Sequence, residues 1–133
     1  GEVRIDGVIS TSEESRAKIG FIPEKFSFFS FYTVEGVLYF FAKSRGISND
    51  KQTEVVNHAI ERMSLQDVRS RKLSTFSKGQ VQRVGLASLL IGDLDLLILD
   101  EPFSGLDPIG IRDLKDLIKE FKNNGKTIFI NSL

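Results

Sequence analysis

Two acids placed directly after an apolar run are the residues of this chain best suited to chemistry. Leu96, Leu97, Ile98 and Leu99 form an unbroken apolar stretch that ends on Asp100 and Glu101. Such a run reads as a strand buried on both faces of a parallel sheet. Its end delivers two carboxylates to the carboxyl edge of the sheet, where ligands of open α/β sheets bind. Pro102 has no N–H to offer a ladder and stops the pairing. An isolated hydrophobic run followed by Asp-Glu is more simply a core strand whose acids cap the next turn.

A second feature lies upstream, in Leu73-Ser74-Thr75-Phe76-Ser77-Lys78-Gly79-Gln80, which leads into a helix expected to end near Ile91-Gly92. Ser77 can cap that helix, so that its first N–H groups and the positive end of its dipole point the same way. That is a ready anion site, although the same segment alone is also an ordinary capped helix. A phosphate-binding loop, Gly-x-x-x-x-Gly-Lys-Ser/Thr, does not occur. The one Gly-Lys pair, Gly125-Lys126-Thr127, has Glu120 where the first glycine belongs. It also ends a helix and begins a strand, the reverse of the required order.

The elements that must position these groups follow from periodicity. Val3 and Ile5 alternate with polar neighbours up to the turn dipeptide Asp6-Gly7, as a strand does. Lys18 to Ile22 reads as a second, buried strand stopped by Pro23. Thr33 is an N-cap for a helix from Val34 to Arg45, closed by Gly46. A further helix from about Lys51 to Met63 carries Val55, Val56, Ala59, Ile60 and Met63 at helical spacing. His58, the single histidine, has no ligand or triad partner nearby in sequence and reads as a surface or half-buried helical residue. Arg69, Arg71 and Lys72 read as a solvated basic loop. Asp107-Pro108 opens another helix, with Ile111, Leu114, Leu117, Ile118 and Phe121 as its buried stripe and Asn124-Gly125 as its end. Thr127 to Ile130 reads as a last buried strand.

Taken together, the Asp100-Glu101-Pro102 strand end, Ser104-Gly105-Leu106-Asp107 and the Phe76 to Gln80 segment resemble the ATPase domain of ATP-binding-cassette (ABC) proteins. The resemblance identifies the apolar strand with its acids as a Walker B motif, Ser104 to Asp107 as a D-loop, and the segment through Gln80 as the signature, in the family's order and near its spacing. Phe76 replaces the family's leucine. Lys78 replaces a glycine and adds a cation near where a γ-phosphate would sit, as related exporter-type sequences do. Glu24 stands where most members carry the glutamine of the Q-loop, which reaches magnesium and the γ-phosphate; Pro23-Glu24 occurs instead in subfamilies resembling drug and antibiotic exporters. A strand-end acid facing solvent is an equal reading of Glu24. Asn131-Ser132 leads to Leu133 where the H-loop histidine is expected, so either the histidine is replaced or Leu133 is an appended residue.

What the resemblance implies is an α/β fold: a partial P-loop NTPase parallel sheet core, over residues 1–24 and 93–133, with an inserted α-helical subdomain over 25–92. The chain reads as the part of such a domain that follows the Walker A region, a fragment expected to be inactive alone. In the intact parent, Glu101 would be the catalytic general base and Asp100 would hold Mg²⁺ through water. Ser77, Lys78, Gly79 and Gln80 would close over the ATP of a second ABC ATPase domain in a head-to-tail dimer, with Ser104, Gly105, Leu106 and Asp107 at the interface. Phe26, Phe28, Phe29, Phe31 and Tyr32 lie where the family meets its membrane-spanning subunit, and aromatics suit interface cores; filling the core of the helical subdomain is the alternative use for these rings. The location implied is cytoplasmic, at the inner face of the cell membrane.

Composition agrees with a single soluble domain. The 133 residues are 41% hydrophobic and 27% charged, and such a length buries a real core. Eighteen basic and eighteen acidic residues cancel, so bulk charge gives no reason to expect nucleic acid or an anionic membrane surface. Without cysteine the chain has no disulfide framework and no thiol metal site. A non-transport ABC ATPase acting on nucleic acid or the ribosome would be expected to carry basic insertions or coiled-coil segments, and neither occurs in the sequence. A non-catalytic truncated module is the third reading.

Overall fold

The structure, a computed structural model, describes residues 4–5, 8–9, 18–23 and 30–132. Strands β1 (Arg4–Ile5) and β2 (Val8–Ile9) pair antiparallel. The strand read around Val3 and Ile5 is therefore one arm of a pair whose second arm the alternation does not announce.

Three parallel strands, β3 (Ile19–Ile22), β4 (Leu96–Asp100) and β5 (Thr127–Asn131), form the main sheet in the order β3-β4-β5. Parallel neighbours need long crossovers. Helices α1 (Val34–Ser44), α2 (Asn49–Arg62) and α3 (Lys78–Ser88) lie between β3 and β4, and α4 (Pro108–Asn123) joins β4 to β5. The register sets Leu99 between Ile22 and Ile130, and Asp100 opposite Asn131.

Local chemistry explains the helix ends. Thr33 Oγ1 accepts the Gly36 N–H at 3.0 Å, and Gly46, at φ 78°, closes α1 in a backbone region that favours glycine. Asp107 Oδ1 accepts the Gly110 N–H at 2.7 Å, with Pro108 in the first turn of α4. Val37 and Leu38 of α1, Val56 and Ile60 of α2, and Val84 and Leu86 of α3 are buried in one cluster with Leu97 and Leu99 of β4 and Leu114 and Leu117 of α4. Helices and sheet thus share a core. Gly20 lets β3 pack closely on the end of α3: a Cβ there would sit 2.6 Å from Leu94 Cδ1 and 2.9 Å from Leu89 Cδ2, and those side chains would have to shift.

Arg45 locks α3 to α1. Its guanidinium lies over the Phe41 ring and donates to the carbonyl oxygens of Ser88 and Ile91 at the carboxyl end of α3, where a cation is favoured. Burial lowers its pKa to about 10, which leaves it charged at neutral pH.

Three expectations are corrected. Leu97 and Leu99 are buried, but Leu96 and Ile98 on the opposite face of β4 are only half-buried, and on β3, also expected to be buried, Phe21 on that same face is 50% exposed. The strand expected to be buried at Thr127 to Ile130 lies mostly exposed at an edge of the described sheet, with Phe129 64% exposed. The basic run is not simply solvated: Arg69 pairs with Glu35 at 2.9 Å and donates to Asn57 Oδ1, while Arg71 lies over the Phe76 ring. These side chains bind the loop before α3 onto neighbouring elements. Among the described residues no helix is long and apolar enough to cross a membrane.

Candidate functional site

β4 delivers Asp100 and Glu101 to the carboxyl edge of the sheet, as its sequence predicts. Both are half-buried. Asp100 Oδ1 accepts from Asn131 Nδ2 at 2.9 Å, and the Glu101 N–H donates to the Asn131 carbonyl oxygen at 2.7 Å. One residue of β5 therefore steadies both acids. Glu101 has φ 48°, a left-handed conformation that is costly for a residue with a Cβ and persists only where the surroundings enforce it. The Ser104 N–H closes the turn onto the Glu101 carbonyl oxygen at 3.1 Å.

The signature segment opens α3. Ser77 Oγ accepts the Gln80 N–H at 3.2 Å while the Gln80 side chain accepts the Ser77 N–H at 2.9 Å, a reciprocal capping box. The amides of Lys78 and Gly79 precede Val81, the first N–H with an intrahelical acceptor, the Ser77 carbonyl oxygen, so they stand at the positive end of the dipole. Ser77, Gly79, Gln80 and Arg83 share a cleft of about 220 Å³ with Gly105, Leu106, Asp107 and Gly110. The amino termini of α3 and α4 therefore border the same cleft, a placement suited to an anion.

The segments read as signature and D-loop touch directly. A Cβ at Gly79 would come 2.8 Å from the Gly105 carbonyl oxygen, so the backbones approach as closely as glycine alone permits. Gly105, at φ 80°, lies under the Lys78 side chain. Lys78 Nζ donates to Ser104 Oγ at 2.8 Å; its ammonium is engaged by the neighbouring loop. Asp107 caps its own helix. One turn into α3, buried Gln82 donates through Nε2 to the Pro102 carbonyl oxygen at 3.0 Å, linking the helix to the turn that carries Glu101.

Glu24, Phe26, Phe28 and Phe29 lie outside the described residues, as does Leu133 at the expected histidine position. Of the aromatic segment, Phe31 is 83% exposed, and Tyr32 packs edge-on against Phe40. His58 is exposed on α2. Asn131 and Gln82 are the site neighbours that sequence reasoning misses. Asn131 becomes visible only once the β4/β5 register is known. Gln82 carries a weak signal, a polar residue on the buried stripe of α3.

Among the described residues no three His, Asp or Glu side chains are grouped to hold a metal by themselves. The Asp100 and Glu101 pair instead suits a hard ion that keeps several waters and takes other ligands from phosphate, which is how Mg²⁺ is usually bound.

Comparison with known proteins places these features in a family. Residues 1–104 match the protein family described as ABC transporter. An uncharacterized ABC transporter ATP-binding protein of Methanocaldococcus jannaschii is 34% identical over 119 residues, covering 90% of this chain and 45% of that protein. The uncharacterized ABC transporter ATP-binding protein YhcH of Bacillus subtilis is 38% identical over 138 residues, covering 99% of this chain and 43% of that protein. The lantibiotic transport ATP-binding protein SrtF of Streptococcus pyogenes is 47% identical over 73 residues, covering 55% of this chain and 32% of that protein. This chain thus spans less than half the length of these curated relatives. A solved ATP-binding subunit of an ABC transporter superposes with a TM-score of 0.84 at 29% identity, over 96% of this chain and 54% of that one. A dimeric ATP-binding cassette bound to ADP and Pi shares the fold, with a TM-score of 0.85 at 22% identity, over 99% of this chain and 62% of that one. The sheet that presents Asp100 and Glu101, and the helices packed beside it, are those of an ABC ATPase, and the chain belongs to the ATP-binding domains of the ABC transporter family.

Proposed function

We propose that this chain supplies the hydrolysis and signature portion of an ATPase domain that powers an ABC transporter. One observation carries the reading: the signature and D-loop segments line a single cleft at two helix amino termini, and α3 is tied to the turn bearing Glu101. Residues 1–24 and 93–133 belong to the ATPase core, and 25–92 to a helical subdomain.

ATP is the substrate. Glu101 accepts a proton from the attacking water, a role for which placement counts as much as basicity. Asp100, held by Asn131, would hold Mg²⁺ through water, and Glu24 would serve the Q-loop position. The ion, when bound, neutralises charge developing on the phosphates. Ser77, Lys78, Gly79 and Gln80 close over ATP held by a second ATPase domain arranged head to tail, with Ser104 and Asp107 at that interface. The exposed ring of Phe31, with the aromatics before it, meets a membrane-spanning subunit at the inner face of the membrane. Pro23-Glu24, the Ser77-Lys78-Gly79 signature and the similarity to a lantibiotic transport protein favour an exporter.

The chain lacks a Walker A sequence, so the 133-residue polypeptide alone binds Mg-ATP weakly and hydrolyses none. Calorimetry on this polypeptide and on a longer one that includes a phosphate-binding loop tests this; tight binding by the shorter one would overturn it. In the longer protein, Glu101→Gln should retain ATP while turnover falls at least about a hundredfold. Normal turnover in that variant would remove Glu101 from the mechanism.

A further inference from the structure

We infer that Gln82 is a positioning residue for hydrolysis, its buried amide holding the Glu101 turn in register with the signature helix. The inference rests on the reading of Glu101 as the base.

Gln82 is 3% exposed, on the helix face it shares with Gly85, Leu86 and Leu89. An amide on such a stripe is costly unless it is hydrogen-bonded, and a Leu or Met would pack there more cheaply. What the amide provides is the 3.0 Å bond from Nε2 to the Pro102 carbonyl oxygen, one residue beyond Glu101. The conformation at stake is the left-handed Glu101 backbone, φ 48°, which relaxes unless its surroundings over-determine it. β5 supplies one restraint, the Glu101 N–H to Asn131 carbonyl bond, and the turn supplies another, from the Ser104 N–H to the Glu101 carbonyl oxygen. Gln82 supplies a buried restraint from the helix whose amino terminus borders the anion-suited cleft. A shift of α3 as it closes over a phosphate is thereby passed to the peptide that follows the base. Without that bond the cleft still binds nucleotide, but the carboxylate is no longer aimed.

The test uses the full-length ATPase containing this chain and a phosphate-binding loop, with kcat and KM for Mg-ATP as readouts. Gln82→Met keeps length and volume and removes the donor. The expected result is a fall in kcat of about tenfold or more, as sub-ångström misplacement of a reacting group produces, with KM within about twofold of the parent, the signature of an interaction that matters after binding. Gln82→Asn, which keeps the amide but cannot reach Pro102, should show the same split and serves if the methionine variant does not fold. Val84→Ala, buried on the side of the same helix opposite Gln82, controls for lost stability. The inference is overturned if the Gln82 variants keep kcat within about twofold of the parent, or lose no more than a Val84→Ala protein of matched Tm. Glu101→Gln run in parallel separates the two readings: undiminished turnover there overturns the base assignment itself, whatever Gln82 does.

Discussion

The polar network around the acids and the cleft and the open face of the sheet are built on opposite principles. Around the cleft, contacts are short, directional and supplied by the chain itself: Lys78 to Ser104, Gln82 to Pro102, Asn131 to Asp100 and to Glu101. On the sheet face that carries Phe21, Ile98 and Phe129, registered side by side, two phenylalanines are 50% and 64% exposed. The first region is preassembled. The second is apolar surface, whose contribution to stability depends on what covers it. Function here is therefore concentrated where polar geometry is already set, and substitutions in the two regions should differ in kind as well as size.

The sharpest contrast lies within the sheet itself. Leu99 is 1% exposed and Phe129, on the adjacent strand, is 64% exposed. Leu99→Ala should cost about 2–5 kcal/mol by lost burial and cavity formation, read as a lower denaturation midpoint with unchanged slope. A cost under about 1 kcal/mol would mean that the core is not centred on β4.

Next in size is Gly79→Val. Its Cβ would begin 2.8 Å from the Gly105 carbonyl oxygen, a backbone atom that can move only with the D-loop. The variant should fold, since Gly79 lies in the first turn of α3, but the signature and D-loop must part. Turnover of the full-length protein should fall by about a hundredfold, the scale of a 1 Å displacement. Retention of full activity would break the claim that this approach is functional. Arg45→Met should follow, at about 2 kcal/mol, because two buried carbonyls at the end of α3 lose a charged donor; thermal melting reads it.

Much of this frame was legible beforehand. The caps at Thr33, Ser77 and Asp107, proline at the start of α4 and glycine after α1 are local chemistry, decided within four residues. The acid pair was legible because its strand is short and apolar. Asn131 was not, since its meeting with Asp100 depends on the register of β5. Arg45 stands in the sequence only as the end of the helix expected from Val34 to Arg45, yet its guanidinium crosses to α3. The alternation of burial along β4 was hidden by four similar apolar residues, which do not reveal that only one face is fully covered. Sequence periodicity reports which side chains could be buried, while tertiary placement decides which are.

Lys78 offers a finer test. Its ammonium bonds to Ser104 in an exposed position, so Lys78→Met should change stability by less than about 1 kcal/mol. If the D-loop is its working partner, Lys78→Met and Ser104→Ala should be non-additive in turnover of the full-length protein, since residues that share one contact couple. Strict additivity would place the ammonium's role elsewhere.

The smallest stability effect should come with a change in association. Phe129→Glu removes an exposed ring from the open face, so folding free energy should move by no more than about 0.5 kcal/mol. β5 is an edge of the described sheet, and its outer hydrogen-bonding groups lie beside that ring. An exposed apolar edge strand is a template for pairing with another chain, and a charge on it is how natural sheets prevent this. The isolated 133-residue polypeptide is therefore expected to self-associate as concentration rises, and Phe129→Glu to suppress this while leaving the melt nearly unchanged. Light scattering across a concentration series decides the matter. A clean monomer in the parent polypeptide would show that the open face is not adhesive, and the contrast between the two regions would then rest on the polar network alone.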